Sequence, residues 1–277
     1  MKFLAWDTSS KAGVVVAVEN DSRISGSHQD QNPRIVSQFS LDVGATHSER
    51  LLWAVHQVLV SARWKIEEVD VFAVGVGPGS FTGLRIGVTT ARTLAHALGK
   101  PLIPLSSLAA LARSVSLLAA PQGEQCLVIG ATDACKGEVF SIWGEARSIQ
   151  KCTVNDEAKS PGLWRQSVVE AVLTPVQLSE RLRAQLLSGG ELTRWVAAGD
   201  SISRYPEIWA HLPQDQRLLL SEMTIEQIDG RVLGRMTFEA WSVLQSWNPL
   251  EVYPRYLRAS DAEQKLKAGL LARAPVS

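Results

Sequence analysis

The stretch Val71 to Gly99, VFAVGVGPGSFTGLRIGVTTARTLAHALG, leaves this chain few folds to choose from. Val71 to Gly77 alternate small and β-branched residues, the pattern of a buried strand. Gly77-Pro78-Gly79 break that pattern, because glycine can take positive φ and proline fixes its own, so the backbone can turn within a small space. Ser80 and Thr82 then offer oxygens to the first free N–H groups of a helix that Gly99 and Pro101 end. Strand, glycine turn and helix in that order predict an α/β protein. Along the helix Gly83, Gly87, Ala91 and Ala95 recur every fourth position and form one bare stripe, with Leu84, Val88, Leu94 and Leu98 expected opposite. Such a stripe admits another backbone closely, from a partner or from the chain's own sheet.

The N-terminus carries a second informative pattern. Phe3 to Trp6 read as a strand ending on Asp7, Thr8 to Lys11 as a polar turn, and Gly13 to Val18 as a returning strand. The pattern starts again further on: Leu127 to Ala131, Asp133 at the tip, a turn through Gly137, and a strand from Glu138 to Trp143. Two acid-tipped hairpins suggest a duplicated α/β unit with a cleft between copies, although strand, Asp, turn and strand is a generic sequence. At 277 residues there is room for two lobes, expected at 1–120 and 121–277 with a seam near Pro121 and Gly123, the last segment of the second being free to pack back on the first.

Between these features, Thr46-His47-Ser48-Glu49 has capping-box spacing ahead of Leu51, Leu52, Val55 and Leu59, which predicts a helix from about Ser48 to Ala62. Trp53 and His56 give its flank an aromatic surface, for a partner or for burial. Residues 21–40 are polar and aperiodic and read as a surface loop or the decorated end of a sheet, and residues 144–170 read as an irregular insertion. Helices are expected at Ser106–Ala120, Thr174–Leu187, Gly230–Leu244 and Ala262–Ala272, and Pro249 to Arg258 as an extended tail.

Charge narrows the function classes. Lys plus Arg (28) equals Asp plus Glu (28), so no global field holds a polyanion and any RNA contact needs a local patch. Three cysteines without a CxxC pair fit a reducing compartment, and no apolar run approaches a membrane span, so a cytoplasmic protein is expected. The five histidines lack ligand spacings, so no metal is expected. No GxSxG elbow or Cys and His arrangement supplies a nucleophile. The glycine turn at Gly77, Gly79 and Ser80 could hold phosphate at a helix N-terminus, or be a packing turn; it lacks the Lys-Ser/Thr pair of a P-loop. Asp7, Asp133 and Asp200, at three strand ends, could ring a metal nucleotide with Thr8 and Ser9, or merely end strands. The turn after Asp7 has no glycine to let phosphate approach, so any nucleotide there would bind weakly.

GPGSFTGLRIG (Gly77 to Gly87), with HSERLL (His47 to Leu52) upstream, closely resembles the bacterial TsaB (YeaZ) family of the tRNA threonylcarbamoyladenosine pathway. AWDTSS, SSLAALA, TDACKGEVF, AGDS and PRYLR follow in family order. The resemblance implies a two-lobed actin, Hsp70 and sugar-kinase type fold (the ASKHA class). It also implies a non-catalytic subunit that scaffolds and activates a TsaD-like transferase acting on the adenosine beside the tRNA anticodon. A TsaE-like ATPase would join the pair, the free chain would form a homodimer, tRNA would be met only through the complex, and no cofactor is expected beyond weak nucleotide binding at a subunit interface. Where the sister transferase has a His-x-x-x-His metal pair, this chain has Ser107 and Leu111. The family pairs through its two N-terminal helices, which implies an interface of His47, Ser48, Leu51, Leu52, Val55, Gly83, Arg85, Gly87, Ala91 and Ala95. Trp53 replaces a frequent proline, and Cys135-Lys136 stand where Arg and Met are usual. The other open classes are a kinase or transferase acting alone on the same fold, and a plain homodimeric binding protein.

Overall fold

Val14 to Val18 are fully covered on both faces, which a strand manages only at the centre of a sheet with packing layers on each side. A computed structural model describes residues 1–20, 33–42, 47–119, 125–147, 163–166, 169–188, 192–217, 226–243 and 248–258, and shows those layers. Strands β1 (Lys2–Asp7), β2 (Ala12–Glu19), β3 (Arg34–Asp42), β4 (Val71–Gly75) and β5 (Leu102–Leu105) form one sheet in the order β3-β2-β1-β4-β5. Helices α1 (His47–Ala62) and α2 (Phe81–Ala97) cover one face of it. Helix α3 (Ser107–Ala119) leads into the second sheet: β6 (Gln125–Asp133), β7 (Val139–Arg147), β8 (Leu163–Gln166), β9 (Ala171–Leu173) and, after α4 (Pro175–Ser188), β10 (Leu192–Ala198). Its order is β10-β6-β7-β8, with β9 also on β7. The short α5 (Ser201–Arg204) and α6 (Pro206–Ala210) follow, and α7 (Gly230–Val243) closes the set.

The two sheets repeat one plan. In the first, β1 pairs antiparallel with β2 and parallel with β4; in the second, β6 pairs antiparallel with β7 and parallel with β10. Asp7 ends β1 opposite Val14, and Asp133 ends β6 opposite Val139. The repeated hairpins are therefore repeated topology. A central core that includes Phe3, Val16, Leu108, Val115, Val128 and Ile142 joins both sheets through α3 and α7, and a separate core under α4 and α6 is built on Trp195 and Trp209. Helix α7 lies on the first sheet, where Gly234 comes close enough to Val18 that a Cβ would sit 2.5 Å from its methyl.

Three sequence expectations change. Residues 34–40 belong to edge strand β3, and residues 144–147 and 163–166 are strand. The β3 signal is blurred because the register shifts opposite Ala17 and Val18, so Ile35 joins the central core while Val36, Phe39 and Leu41 join the α1 side. The bare stripe is the third: Gly83, Gly87, Ala91 and Ala95 are buried, and Leu84 and Val88 are buried beside them rather than opposite. The Thr46 cap, the Pro121 seam and a helix at 262–272 lie outside the described residues.

Candidate functional site

Asp133 faces a cleft of about 510 Å³ between the sheets, whose lining also includes Ser9, Lys11, Gly79, Ser80, Ser107, Leu111, Asp200 and Arg204. Asp7 itself lies just beneath this lining. The first hairpin is stitched to α2. Ser80 N–H donates to the Ser9 carbonyl (2.6 Å), the Thr8 hydroxyl donates to the Gly83 carbonyl (2.8 Å), and Trp6 Nε1–H donates to the Gly87 carbonyl (3.0 Å). Glycine is required for this approach: a Cβ on Gly83 would lie 2.0 Å from the Thr8 carbonyl oxygen, and one on Gly79 2.4 Å from that of Ser9. Ser80 accepts from Gly83 N–H (3.3 Å) and so caps the helix it opens. The glycine turn thus holds a hairpin of its own chain where a phosphate cradle was the other reading. The stripe likewise faces inward: Leu51, Val55, Ala91 and Ala95 are buried, so as partner contacts they are corrected, together with Gly83 and Gly87.

Asp7 is 1 % exposed. Its Oδ1 accepts from the Ser9 N–H (2.8 Å) and hydroxyl (2.6 Å), and its other oxygen lies over Gly75 beside Ser107. Burial pushes the Asp7 carboxyl above the usual range, against the hydrogen bonds from Ser9, and its Oδ2 is buried without a hydrogen-bond partner. A carboxyl whose folded pKa is raised contributes stability at low pH and loses it as pH rises through the folded value. Asp7→Asn keeps an oxygen for both Ser9 donors, so it should raise the melting temperature at neutral pH and flatten its pH dependence. Thermal melts of both proteins between pH 4 and 8 check this; a lower melting temperature for the variant at pH 7 refutes the buried-charge account.

Asp133 is occupied differently. Its Oδ1 accepts from Tyr205 Oη (2.7 Å) and Cys135 N–H (2.9 Å), while Oδ2 pairs with Arg204 Nε (3.1 Å). Burial and the Asp133 charge push the Tyr205 hydroxyl upward, which keeps it a neutral donor. Asp200 Oδ1 accepts from Asp133 N–H (2.8 Å). Arg204 and Tyr205 were missed in the sequence because their role depends on α5 folding back over β6, and no local pattern signals that. On α3, Ser107 accepts from Gly77 N–H (3.0 Å), and Leu111 is buried one turn on. Among the described residues no three His, Cys, Asp or Glu side chains gather as a metal site. Among them too, no helix is long and apolar enough to cross a membrane.

Two α/β lobes with one strand plan, each opened by an acid-tipped hairpin facing a shared cleft, define the actin, Hsp70 and sugar-kinase class. A family model described as TsaD, tRNA N6-adenosine threonylcarbamoyltransferase, matches residues 42–171. The tRNA threonylcarbamoyladenosine biosynthesis protein TsaB of Escherichia coli K12 is 32% identical over 208 residues, 75% of each chain. Its namesake in Haemophilus influenzae is 33% identical over 138 residues, 50% of this chain and 55% of that one. The solved structure of YeaZ from Pseudomonas aeruginosa is 26% identical, covers 92% of this chain and 99% of its own, and superposes with a TM-score of 0.64. The chain belongs to the TsaB family.

Proposed function

We propose that this chain takes part in threonylcarbamoyladenosine modification of tRNA as a non-catalytic subunit, which scaffolds and activates a TsaD-like transferase in the cytoplasm. The observation that carries the non-catalytic reading is the state of Asp133: a cationic side chain, a phenol and a backbone amide already hold the carboxylate that a metal nucleotide would use. The matching acid, Asp7, is buried with its Oδ1 already held by Ser9. No cofactor is assigned, and any nucleotide would be held weakly where subunits meet.

The partner surface lies on α1. Leu52, His56 and Val60 stand one above the other on its outer side with Trp53 beside them, and Leu52, Trp53 and Val60 are more than half exposed. Trp53 is braced edge-on by Phe39, with ring centres 5.1 Å apart. A braced aromatic side chain beside an aliphatic stripe is the composition of a protein interface centre. His47 and Ser48 begin the same helix. The transferase occupies this stripe, a second copy of the chain takes its place when the transferase is absent, and a TsaE-like ATPase docks on the assembled pair.

Reconstitution from threonylcarbamoyl adenylate, unmodified tRNA and the TsaE-like ATPase with ATP tests the reading. Modification should need both this chain and the TsaD homologue, and modification by this chain alone rejects the subunit role in favour of an independent transferase. Leu52→Asp combined with Val60→Asp should weaken co-purification with the homologue at least tenfold, because each buries a charge without a partner, while the melting temperature stays near that of the wild type. Undiminished co-purification removes the interface from α1.

A further inference from the structure

The strap formed by residues 248–258 crosses α2 and builds two similar clusters on its outer face. In the first, the Arg85 guanidinium lies 3.9 Å from the Phe81 ring centre and Nε donates to Tyr256 Oη (3.2 Å). The Phe81 and Tyr256 rings are themselves 5.1 Å apart. In the second, Arg92 lies 4.5 Å from the Tyr253 ring and Nη2 donates to the Leu250 carbonyl (3.1 Å). Phe81, Tyr253 and Tyr256 are 43%, 62% and 45% exposed. Seven residues separate the arginines, two helical turns or about 10 Å, so both stand on one face. Helix α2 has no acidic residue, and His96 adds a third basic group on it.

We infer that this strip is a contact surface for single-stranded RNA, namely an unpaired stretch of the tRNA substrate. Ring stacking and the Nε bond hold the Arg85 plane still, leaving its terminal N–H groups without a partner among the described residues. A fixed guanidinium offers one face on which a base stacks and a fork for a phosphate. Two arginines in line on a helix without acidic residues suit a polyanion as this occupant. The strip also supplies the local patch that a chain of zero net charge requires for RNA. This inference rests on the subunit reading for its RNA.

The experiment uses the complex of this chain with the TsaD homologue and an unmodified tRNA transcript, with Kd read by fluorescence anisotropy at several salt concentrations. Arg85→Ala with Arg92→Ala should weaken binding about tenfold or more, and should lower the slope of log affinity against log salt by about 1.4, the value for two single-strand phosphate contacts. Arg85→Lys with Arg92→Lys keeps the charge and should keep the slope, yet weaken binding several-fold because the planar stack is lost. Unchanged affinity and slope in the alanine variant overturn the inference. So does loss of co-purification with the homologue, which makes the strip a protein contact. The α1 aspartate variants test the subunit reading separately.

Discussion

Gly83→Ala is expected to destabilise this protein by about 3 kcal/mol or more, a large part of a typical folding free energy. By helix propensity alone the change should stabilise α2 by about 1 kcal/mol. The clash decides against it: the new Cβ would lie 2.0 Å from the Thr8 carbonyl oxygen. Thr8 cannot give way cheaply, because it is buried, its hydroxyl is bound to the Gly83 carbonyl, and the next carbonyl receives Ser80 N–H. Gly99→Ala is the control. Its Cβ meets nothing within 4 Å, and only the positive φ of 63° opposes it, a cost of about 1 kcal/mol. Urea unfolding of the two variants should separate them by about 2 kcal/mol; equal stabilities refute the close approach of hairpin and helix. A Cβ on Gly87 would lie 2.2 Å from the Thr8 hydroxyl oxygen, so a bulky residue there should disrupt the fold, and loss of a partner with Gly87→Trp would not locate an interface.

The second large effect is expected from Trp6→Ala. Trp6 is wholly buried, meets Phe72 edge-on at 6.2 Å, and donates from Nε1 to the Gly87 carbonyl. Truncation should cost about 3–5 kcal/mol through the lost apolar contact and the cavity left behind. Trp6→Phe keeps most of the packing and should cost less, the difference reflecting a hydrogen bond of about 1 kcal/mol and the smaller ring. Chemical denaturation of both variants checks the order, and a Trp6→Ala loss below about 1 kcal/mol would show that the hairpin does not lean on α2.

Legibility from the sequence differed between elements for physical reasons. Helices α1, α3, α4 and α7 could be placed to within a residue or two because each repeats apolar residues at helical spacing, and β1, β2 and β6 because they are apolar runs closed by an acid or a turn, while β7 runs four residues past its expected end at Trp143. Strand β3 escaped because an edge strand with a shifted register lacks strict alternation. The stripe on α2 was visible at once, but spacing along a helix says which residues share a face, and not which neighbour that face meets. The same limit applied to Asp133, recognisable as a strand-end acid, while the groups that occupy it come from a helix about 70 residues later.

The order of the amino acids determined the strand, glycine turn and helix, the two acid-tipped hairpins and the family, since all of these are local patterns or strings of them in order. Tertiary structure alone decided that the small residues of α2 receive the chain's own hairpin, that Arg204 and Tyr205 hold Asp133, and that the strap aligns two arginines with tyrosines more than 150 positions away. Those outcomes depend on which surfaces meet when two sheets and their helices pack, and contacts between distant segments leave no periodicity in either one.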